Sequence, residues 1–388
     1  MKQQKYVIIV NSVMELMIAI DLKLNNLNDN NVYLYMVSSE SKYEQYCNNL
    51  KILNIFTDVT FINYDEFYNG IHGFNISYLK KCKVRIYDLI CKFIKNKKIY
   101  KFYGEKKCKM ICENYINYIK ADVLLFSEFD LITRTIYSLN KECKKNYYLG
   151  EGTFGYCGNL LRYNDIKNKY ELCTELIDDF SLQAYMIKPN YCIDNYKKLI
   201  EIPLPNRMVV NIWNKVFNYD FSNNYRNKII FFEESYIGDL NKNTNENDVD
   251  VKFIEDLVKE FGSNKIVIKR HPRIKKNRFS KLNVELIENY TVPWELFVLN
   301  KACESCIFLS VSSNAVILPQ LWEYLNNQKI YLLFKIFDYK FIDNRTSYLN
   351  DYMQRYYDLL VNVKQFEIPE SQNELIKKIK STVTEMNK

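Results

Sequence analysis

The segment "KYVIIVNSVMELMIAI", residues 5–20, places a short apolar run directly before a longer amphipathic stretch. Asn11, Ser12 and Glu15 interrupt the apolar residues and no small-residue cleavage site follows, so the pattern does not predict a signal peptide. A continuous apolar run bounded by polar turn residues is typical of a strand buried on both faces of a parallel sheet. We therefore predict a buried strand that turns into a helix.

The same alternation recurs along most of the chain. Further strand-like runs occupy residues 31–38, 58–63, 121–127, 146–152, 228–234, 265–272, 284–289, 305–313 and 329–334. Helix-like stretches cover residues 14–24, 41–53, 131–139, 251–261, 293–302, a segment from 315, and 373–388. Strands that alternate with helices predict βαβ units and a doubly wound α/β layer.

The alternation lapses between residues 203 and 227, in a segment with two prolines, and then restarts. A chain of 388 residues is long enough for two domains, each with its own core. We predict an α/β fold of the GT-B type, in which two Rossmann-like doubly wound domains face each other across a cleft. The predicted boundaries are an N-terminal domain at 1–205, an interdomain crossover at 206–227 and a C-terminal domain at 228–388.

Composition indicates a globular, cytoplasmic protein. Hydrophobic residues make up 48% of the chain, and no run of about 18 apolar residues predicts a membrane span. The cysteines number eleven and have no repeating spacing, which indicates reduced thiols. The net charge of +8 fits lysine-rich coding, and it also fits an enzyme that acts on anionic substrates.

The basic segment 80–107, "KKCKVRIYDLICKFIKNKKIYKFYGEKK", bears on possible partners. Nucleic-acid binding would require a basic stripe interleaved with exposed aromatic side chains, and this segment resembles an amphipathic helix and loop more closely. We expect no nucleic-acid partner. Peripheral association with the anionic inner face of the cytoplasmic membrane is left open, as is a homodimer.

Ligands of open α/β sheets bind beyond the carboxyl ends of the strands, so functional residues are expected directly after apolar runs. The segment Lys269–Arg273, "KRHPR", follows "KIVI". Pro272 restricts His271 to an extended backbone, and the flanking cations favour an anion there. A solvated basic turn is the alternative interpretation.

Three further features meet the same criterion. Ser312 and Ser313 follow "CIFLSV" and open a helix, where hydroxyl and backbone N–H groups can bind phosphate or simply cap the helix. Glu295 lies in the first turn of a helix that opens at Pro293, where a carboxylate can accept ribose hydroxyls or complement the helix dipole. Glu151 lies in "GEGTFGYCG", residues 150–158, which holds four of the nine glycines in the chain. These glycines permit close approach of a substrate, or they merely form a tight turn.

The order of an acidic-Gly motif, His-Pro, a ribose-type Glu and a Ser-Ser pair resembles the bacterial sialyltransferases of GT-B fold. Within them it is most similar to glycosyltransferase family 52, the lipooligosaccharide and capsule sialyltransferases, and the related polysialyltransferases share the motifs. The resemblance implies transfer of sialic acid from CMP-sialic acid to a galactoside, with inversion and without a metal. It also implies an acceptor-side N-terminal domain and a CMP-sugar-binding C-terminal domain.

The resemblance assigns a role to each matching position. Glu151 matches the general base, and His271 of the His-Pro pair matches the residue that binds the CMP phosphate and assists its departure. Glu295 matches the ribose contact, and Ser312 and Ser313 match the phosphate contacts. Lys269 and Pro272 complete the predicted CMP site.

The sequence departs from the family at one position, since Gly150 stands where a second acid is usual. The reserve candidates for the base are therefore the acids after the first strand of the second half: Glu233, Glu234 and Asp239.

No metal or other cofactor is expected. The triplet Asp248–Asp250, "DVD", imitates a metal-binding motif but lies in an Asn-rich loop, and we interpret it as solvated surface or a helix cap. The chain has two histidines, so the "CESC" sequence at 303–306 lacks the further ligands that a zinc site needs. The alternatives are another donor, such as a different CMP-sugar or a UDP-sugar, and a non-enzymatic basic binding protein. No G-x-S-x-G elbow supports a serine hydrolase.

Overall fold

The computed structural model describes residues 3–65, 86, 119–127, 131–140, 143, 145–149, 156, 183–193, 196, 198–234, 249–271, 274, 276–288, 290–311, 314–325, 328–333, 335–337, 358–359 and 366–386. The chain divides into two compact units. The first unit comprises Met1–Glu151, Asn159–Pro189 and Asp194–Val216, and the second comprises Gly152–Gly158, Asn190–Ile193 and Phe217–Lys388.

In its described part, the first unit is a seven-stranded sheet with helices. Its strands are Lys5–Val10 (β1), Asn31–Ser38 (β2), Asp58–Asn63 (β3), Val123–Phe126 (β4), Lys145–Leu149 (β5), Gln183–Ile187 (β6) and Lys198–Ile202 (β7). Its helices are Val13–Asn25 (α1), Lys42–Ile52 (α2), Leu131–Leu139 (α3) and Arg207–Val216 (α4). The strand order is β3-β2-β1-β4-β5-β6-β7, and neighbouring strands pair in parallel.

The opening segment folds as its pattern predicts. Every residue of β1 after Lys5 is buried. Ser12 caps α1 by accepting a hydrogen bond from Glu15 N at 3.2 Å, and Glu15 in turn accepts from Asn11 N. This reciprocal arrangement resembles a capping box, in which two otherwise unsatisfied donors at the helix start find partners. It explains why the polar residues at the end of the apolar run begin the helix.

Helix α4 lies within the segment where the alternating pattern lapses, and the sequence pattern did not predict it. Asn206 Oδ1 accepts from Val209 N at 3.1 Å and so caps the helix. Trp213 Nε1 donates to Met17 O of α1 at 3.1 Å, and Asn49 Nδ2 donates to Val216 O at 2.8 Å. The segment predicted as a crossover therefore begins with a helix of the first unit, and the second unit resumes at Phe217.

Asp21 of α1 is a carboxyl group without solvent exposure. Asn25 Nδ2 donates to Asp21 Oδ1, while Oδ2 has no hydrogen-bond partner within the described part of the chain. Burial raises the pKa of Asp21 from 3.8 to about 7, although the Asn25 hydrogen bond opposes the shift. Below about pH 7, the folded chain therefore holds Asp21 mainly as the neutral acid.

We expect the Asp21→Asn variant to gain stability relative to the parent as pH rises. Between pH 3.8 and about 7 the folded chain holds a proton that the unfolded chain has lost, so the parent's free energy of unfolding falls with pH across this window. The amide does not titrate. Denaturant unfolding should show the difference between variant and parent growing by about 2–3 kcal/mol from about pH 5 to about pH 8.

The matched control for this measurement is Asp29→Asn, because Asp29 is exposed. A difference between Asp21→Asn and the parent that stays constant across this pH range would contradict the prediction.

The second unit is a smaller layer of the same kind. Its described strands are Ile229–Phe232 (β8), Ile266–Lys269 (β9), Glu285–Ile287 (β10), Ile307–Ser310 (β11) and Lys329–Leu332 (β12). Its described helices are Val249–Phe261 (α5), Trp294–Leu299 (α6), Asn314–Leu321 (α7) and Gln372–Met386 (α8). The order is β10-β9-β8-β11-β12, and every neighbouring pair is parallel. The predicted doubly wound parallel sheets are confirmed.

The cysteines that the structure describes are all free thiols. Cys303 and Cys306 are fully buried, and Cys306 Sγ donates to Tyr225 O at 2.8 Å. Within the described residues, no helix has the length and apolarity required to cross a membrane.

Candidate functional site

The carboxyl edge of the second sheet is the place where a ligand is expected. Numbered along the chain, its strands are arranged 3-2-1-4-5, so the strand order reverses between β8 and β11. At such a reversal, the connections on either side leave in opposite directions and open a crevice beyond the strand ends. Glu233 and Glu234 follow β8, His271 follows β9, and Ser310 ends β11.

The corner after β9 carries Lys269 and His271 at this edge. Lys269 is the last residue of β9, and its Nζ lies 5.5 Å from the centroid of the Tyr290 ring. His271 is half-buried, and its backbone N donates to Glu233 Oε2 at 3.0 Å. Ile274 N donates back to His271 O at 3.0 Å and closes the turn. His271 thus lies two residues beyond Lys269, the last residue of β9.

From the sequence, the cations that flank His271 were expected to favour an anion. For Arg270 this expectation was wrong. Its side chain is 1% exposed, and Nε donates to Glu233 Oε2 at 2.8 Å. The other guanidinium nitrogens donate to Glu288 Oε1 at 3.1 Å and to the carbonyl oxygens of Ile274 and Lys276, both at 2.9 Å. Arg270 thus points into the protein because its charge and donors are satisfied there.

The two described reserve acids differ in their surroundings. Glu233 is fully buried and accepts from Arg270, from His271 N and, at 3.1 Å, from Arg278 Nη2. Glu234 is also buried and accepts from Ser310 Oγ at 3.2 Å, across the point where the strand order reverses. Asp239, the third reserve acid, lies outside the described residues.

Asp250 is not solvated surface, one of the two interpretations of the "DVD" triplet. It is fully buried in the first turn of α5 and accepts from Arg278 Nη1 at 2.6 Å and from Nη2. Burial raises the pKa of Asp250, and the hydrogen bonds and charge of Arg278 oppose that shift. Arg278 therefore links Asp250 to Glu233, a connection that the sequence analysis did not predict.

Glu295 lies in the first turn of α6, as predicted. Pro293 is the N-cap, and the ring of Trp294 packs 5.0 Å from that of Phe232, the last residue of β8. This contact places the start of α6 at the carboxyl end of β8. Glu295 is buried, and desolvation raises its pKa to about 7, which the charge of Lys269 partly offsets. Near neutral pH the carboxyl group can therefore donate as well as accept a hydrogen bond.

Several predicted residues lie outside the described part of the chain. They are Glu151, Pro272, Ser312 and Ser313. The predicted helix after the serine pair is present, since α7 begins at Asn314. Within residues 150–158 the structure describes Tyr156, which is buried and accepts from Ile193 N at 2.9 Å.

The structure thus brings Lys269, His271 and Glu295 to one edge of the second sheet, with Glu233 and Glu234 between them. Among the described residues, no group of three or more His, Cys, Asp or Glu side chains has the arrangement of a metal site. The chemistry available is that of a cationic corner, a half-buried imidazole and a carboxyl group that titrates near neutrality. Such a set is able to bind a phosphate and a pair of hydroxyls.

Sequence comparison finds no matching protein-family model and no similar curated protein. Solved structures are similar in fold. The crystal structure of LpCGTa in complex with UDP has a TM-score of 0.50 and 8% identity, covering 98% of this chain and 90% of that one. The glycotransferase of kitacinnamycin has a TM-score of 0.49 and 8% identity, covering 99% and 91%. A UDP-N-acetylglucosamine 2-epimerase has a TM-score of 0.49 and 11% identity, covering 100% and 89%. The chain has an α/β fold of the GT-B type.

Proposed function

We propose that the chain is an inverting, metal-independent glycosyltransferase that moves sialic acid from CMP-sialic acid to a galactoside of a bacterial surface glycan, a lipooligosaccharide or capsule. The observation that carries the proposal is the meeting of Lys269, His271 and Glu295 at the carboxyl edge of a sheet with 3-2-1-4-5 order. This edge is where open α/β sheets bind nucleotides.

In this proposal the second unit holds the CMP moiety. The phosphate is bound by Lys269 and His271, with Pro272 fixing the corner and Ser312 and Ser313 contributing donors before α7. Glu295 accepts the ribose hydroxyls from the first turn of α6. Its pKa of about 7 means that deprotonation strengthens this acceptor as pH rises through neutrality.

The reaction requires one bond to form as another breaks. The acceptor hydroxyl oxygen bonds to the anomeric carbon of sialic acid from the face opposite CMP, and the bond from that carbon to the phosphate oxygen breaks, so the configuration inverts. The hydroxyl proton passes to the Glu151 carboxylate. Negative charge develops on the departing phosphate, where Lys269 and protonated His271 stabilise it and His271 supplies a proton.

The environment of Glu233 supports Glu151 rather than Glu233 as the base. Both oxygens of Glu233 already accept hydrogen bonds, from two arginines and a backbone N–H, and its side chain has no solvent exposure, so an acceptor hydroxyl cannot reach it. Glu234 and Asp239 remain the reserve candidates.

A UDP-sugar is the second candidate donor, because the similar fold of LpCGTa was solved with UDP. Another CMP-sugar is the third. A non-enzymatic basic binding protein would bind anions without turnover, so it is separated from these by an assay of product. Peripheral membrane association through residues 80–107 and a homodimer remain proposals.

The test is a transfer assay with a panel of CMP-, UDP- and GDP-sugars and a galactoside acceptor, run in parallel with and without EDTA. We expect product from CMP-sialic acid alone, at the same rate with and without EDTA, because protein groups hold the phosphate. Product from a UDP-sugar alone would overturn the assignment of the donor. Loss of activity in EDTA, restored by Mn²⁺, would contradict metal independence.

A further inference from the structure

We propose that Glu233 is a positioning residue that fixes the corner carrying His271, and that Arg270 and Arg278 clamp its carboxylate in place. The proposal rests on the proposed function only for the role of His271, because the geometry of the clamp is independent of the substrate.

The carboxylate of Glu233, directly after β8, binds the segment that follows β9, between 37 and 45 residues further along the chain. Oε2 accepts from Arg270 Nε at 2.8 Å and from His271 N at 3.0 Å, and Oε1 accepts from Arg278 Nη2 at 3.1 Å. Its side chain has no solvent exposure, and those of Arg270 and Arg278 are 1% and 7% exposed. The carboxylate and the two guanidinium groups are therefore shielded from water, and charge-assisted hydrogen bonds are strongest in such surroundings.

Each of the two arginines also donates hydrogen bonds to groups other than Glu233. Arg278 donates to Asp250 at the start of α5, and Arg270 donates to Glu288 after β10 and to two carbonyl oxygens of the loop that follows His271. Glu233 therefore cannot shift without disturbing α5, β10 and that loop together. Because the backbone N–H of His271 donates to Glu233, the position of Glu233 restrains the backbone of His271.

The physical purpose of such a clamp is geometric. A displacement of about 1 Å in a catalytic group can lower a rate about 100-fold. Strand pairing of β9 ends at Lys269, and Arg270 N makes one further backbone bond, to Ile287 O of β10 at 3.2 Å, so His271 depends on other contacts for its position. An ion network at that point provides the rigidity. A buried pair is often neutral for stability, which fits a positioning role better than a stabilising one.

The first measurement uses the unmodified protein. Hydrogen exchange of the His271 amide should be strongly protected although His271 lies outside β9, because a buried carboxylate accepts its proton. Exchange as fast as that of an exposed loop amide would overturn the proposal, whether or not any variant folds.

The second measurement uses Glu233→Gln, with transfer and the His271 ring resonance as readouts. We expect kcat to fall about 10- to 100-fold with a smaller change in the donor KM, and the ring resonance to move. Glu233→Asp keeps the charge between the arginines and should restore part of the rate. Asp21→Asn, which replaces an equally buried carboxyl group of the first unit by its amide, is the control and should change neither readout.

The third measurement is a double-mutant cycle. If Glu233 acts through His271, then Glu233→Gln combined with His271→Ala should be no slower than His271→Ala alone, within about threefold. The proposal would be refuted if the double variant lost the product of the two single fold-losses in kcat and the His271 ring resonance did not move in folded Glu233→Gln. Failure of the proposed function can be told apart from failure of the clamp. If the proposed function is wrong, His271→Ala has no effect on transfer, but amide protection and the ring resonance still test the clamp.

Discussion

We expect His271→Ala to lower the rate of the proposed sialyl transfer at saturating acceptor by about 100- to 1,000-fold, the loss that follows when one donor to a developing charge is removed. The phosphate leaves with an extra negative charge, and alanine can neither stabilise that charge nor supply a proton. The matched control is His72→Ala, since the chain has two histidines and His72 is the other. Initial rates with CMP-sialic acid measure both variants against the parent.

The contrast between the two histidine variants is the informative quantity. A general loss of folding would lower the activity of either variant, and unfolding curves recorded alongside would reveal it. Equal rates for His271→Ala and His72→Ala, with both proteins folded, would remove His271 from the mechanism.

Glu151→Gln is expected to lower transfer by about 100- to 10,000-fold, the range that a general base contributes. The amide has almost the same shape as the carboxyl but cannot take the acceptor's proton. Donor affinity should change little, because the proposed donor groups belong to the second sheet. Steady-state rates and a donor titration on the same preparation test the two halves of this prediction.

Normal turnover by Glu151→Gln would exclude it as the base. The reserve acids would then be examined in the same way, beginning with Glu234, whose carboxyl lies at the reversal of strand order. Glu233 comes last, because its buried carboxylate already accepts hydrogen bonds from two arginines.

The strands of the fold were predictable where a short, mainly apolar run is bounded by polar turn residues. The predicted runs at 31–38 and 58–63 coincide with β2 and β3, because both are bounded by polar turns. Strands β6 and β7 were missed. They mix polar with apolar residues, and β7 is the partly exposed edge of its sheet, so neither gives a continuous apolar signal.

Helix ends depended on details that a pattern does not contain. Helix α6 was predicted to reach residue 302 but ends at Leu299, where Asn300 Nδ2 donates to Leu296 O at 2.8 Å and Lys301 adopts a φ of 62°. Helix α4 was missed because the alternating pattern lapses in the segment that begins with Pro203 and Pro205, while the cap that starts the helix is a single hydrogen bond, from Val209 N to Asn206 Oδ1.

The candidate site was predictable only in part. His271 and Glu295 were found because both follow apolar runs, which is a local signal. The link from Arg278 to Asp250 and Glu233 spans 28 and 45 residues, and only the folded path of the loop after β9 brings these groups together. No local pattern separates an arginine that is free to bind an anion from one that is already paired.

The most direct test of the account is the histidine NMR spectrum of the chain, labelled with ¹³C-histidine and titrated with CMP. CMP is expected to shift the His271 resonance to saturation and to leave that of His72 in place, while UDP and GDP should have little effect at equal concentration. A His271 resonance that does not respond to CMP, or that responds to UDP alone, would contradict it.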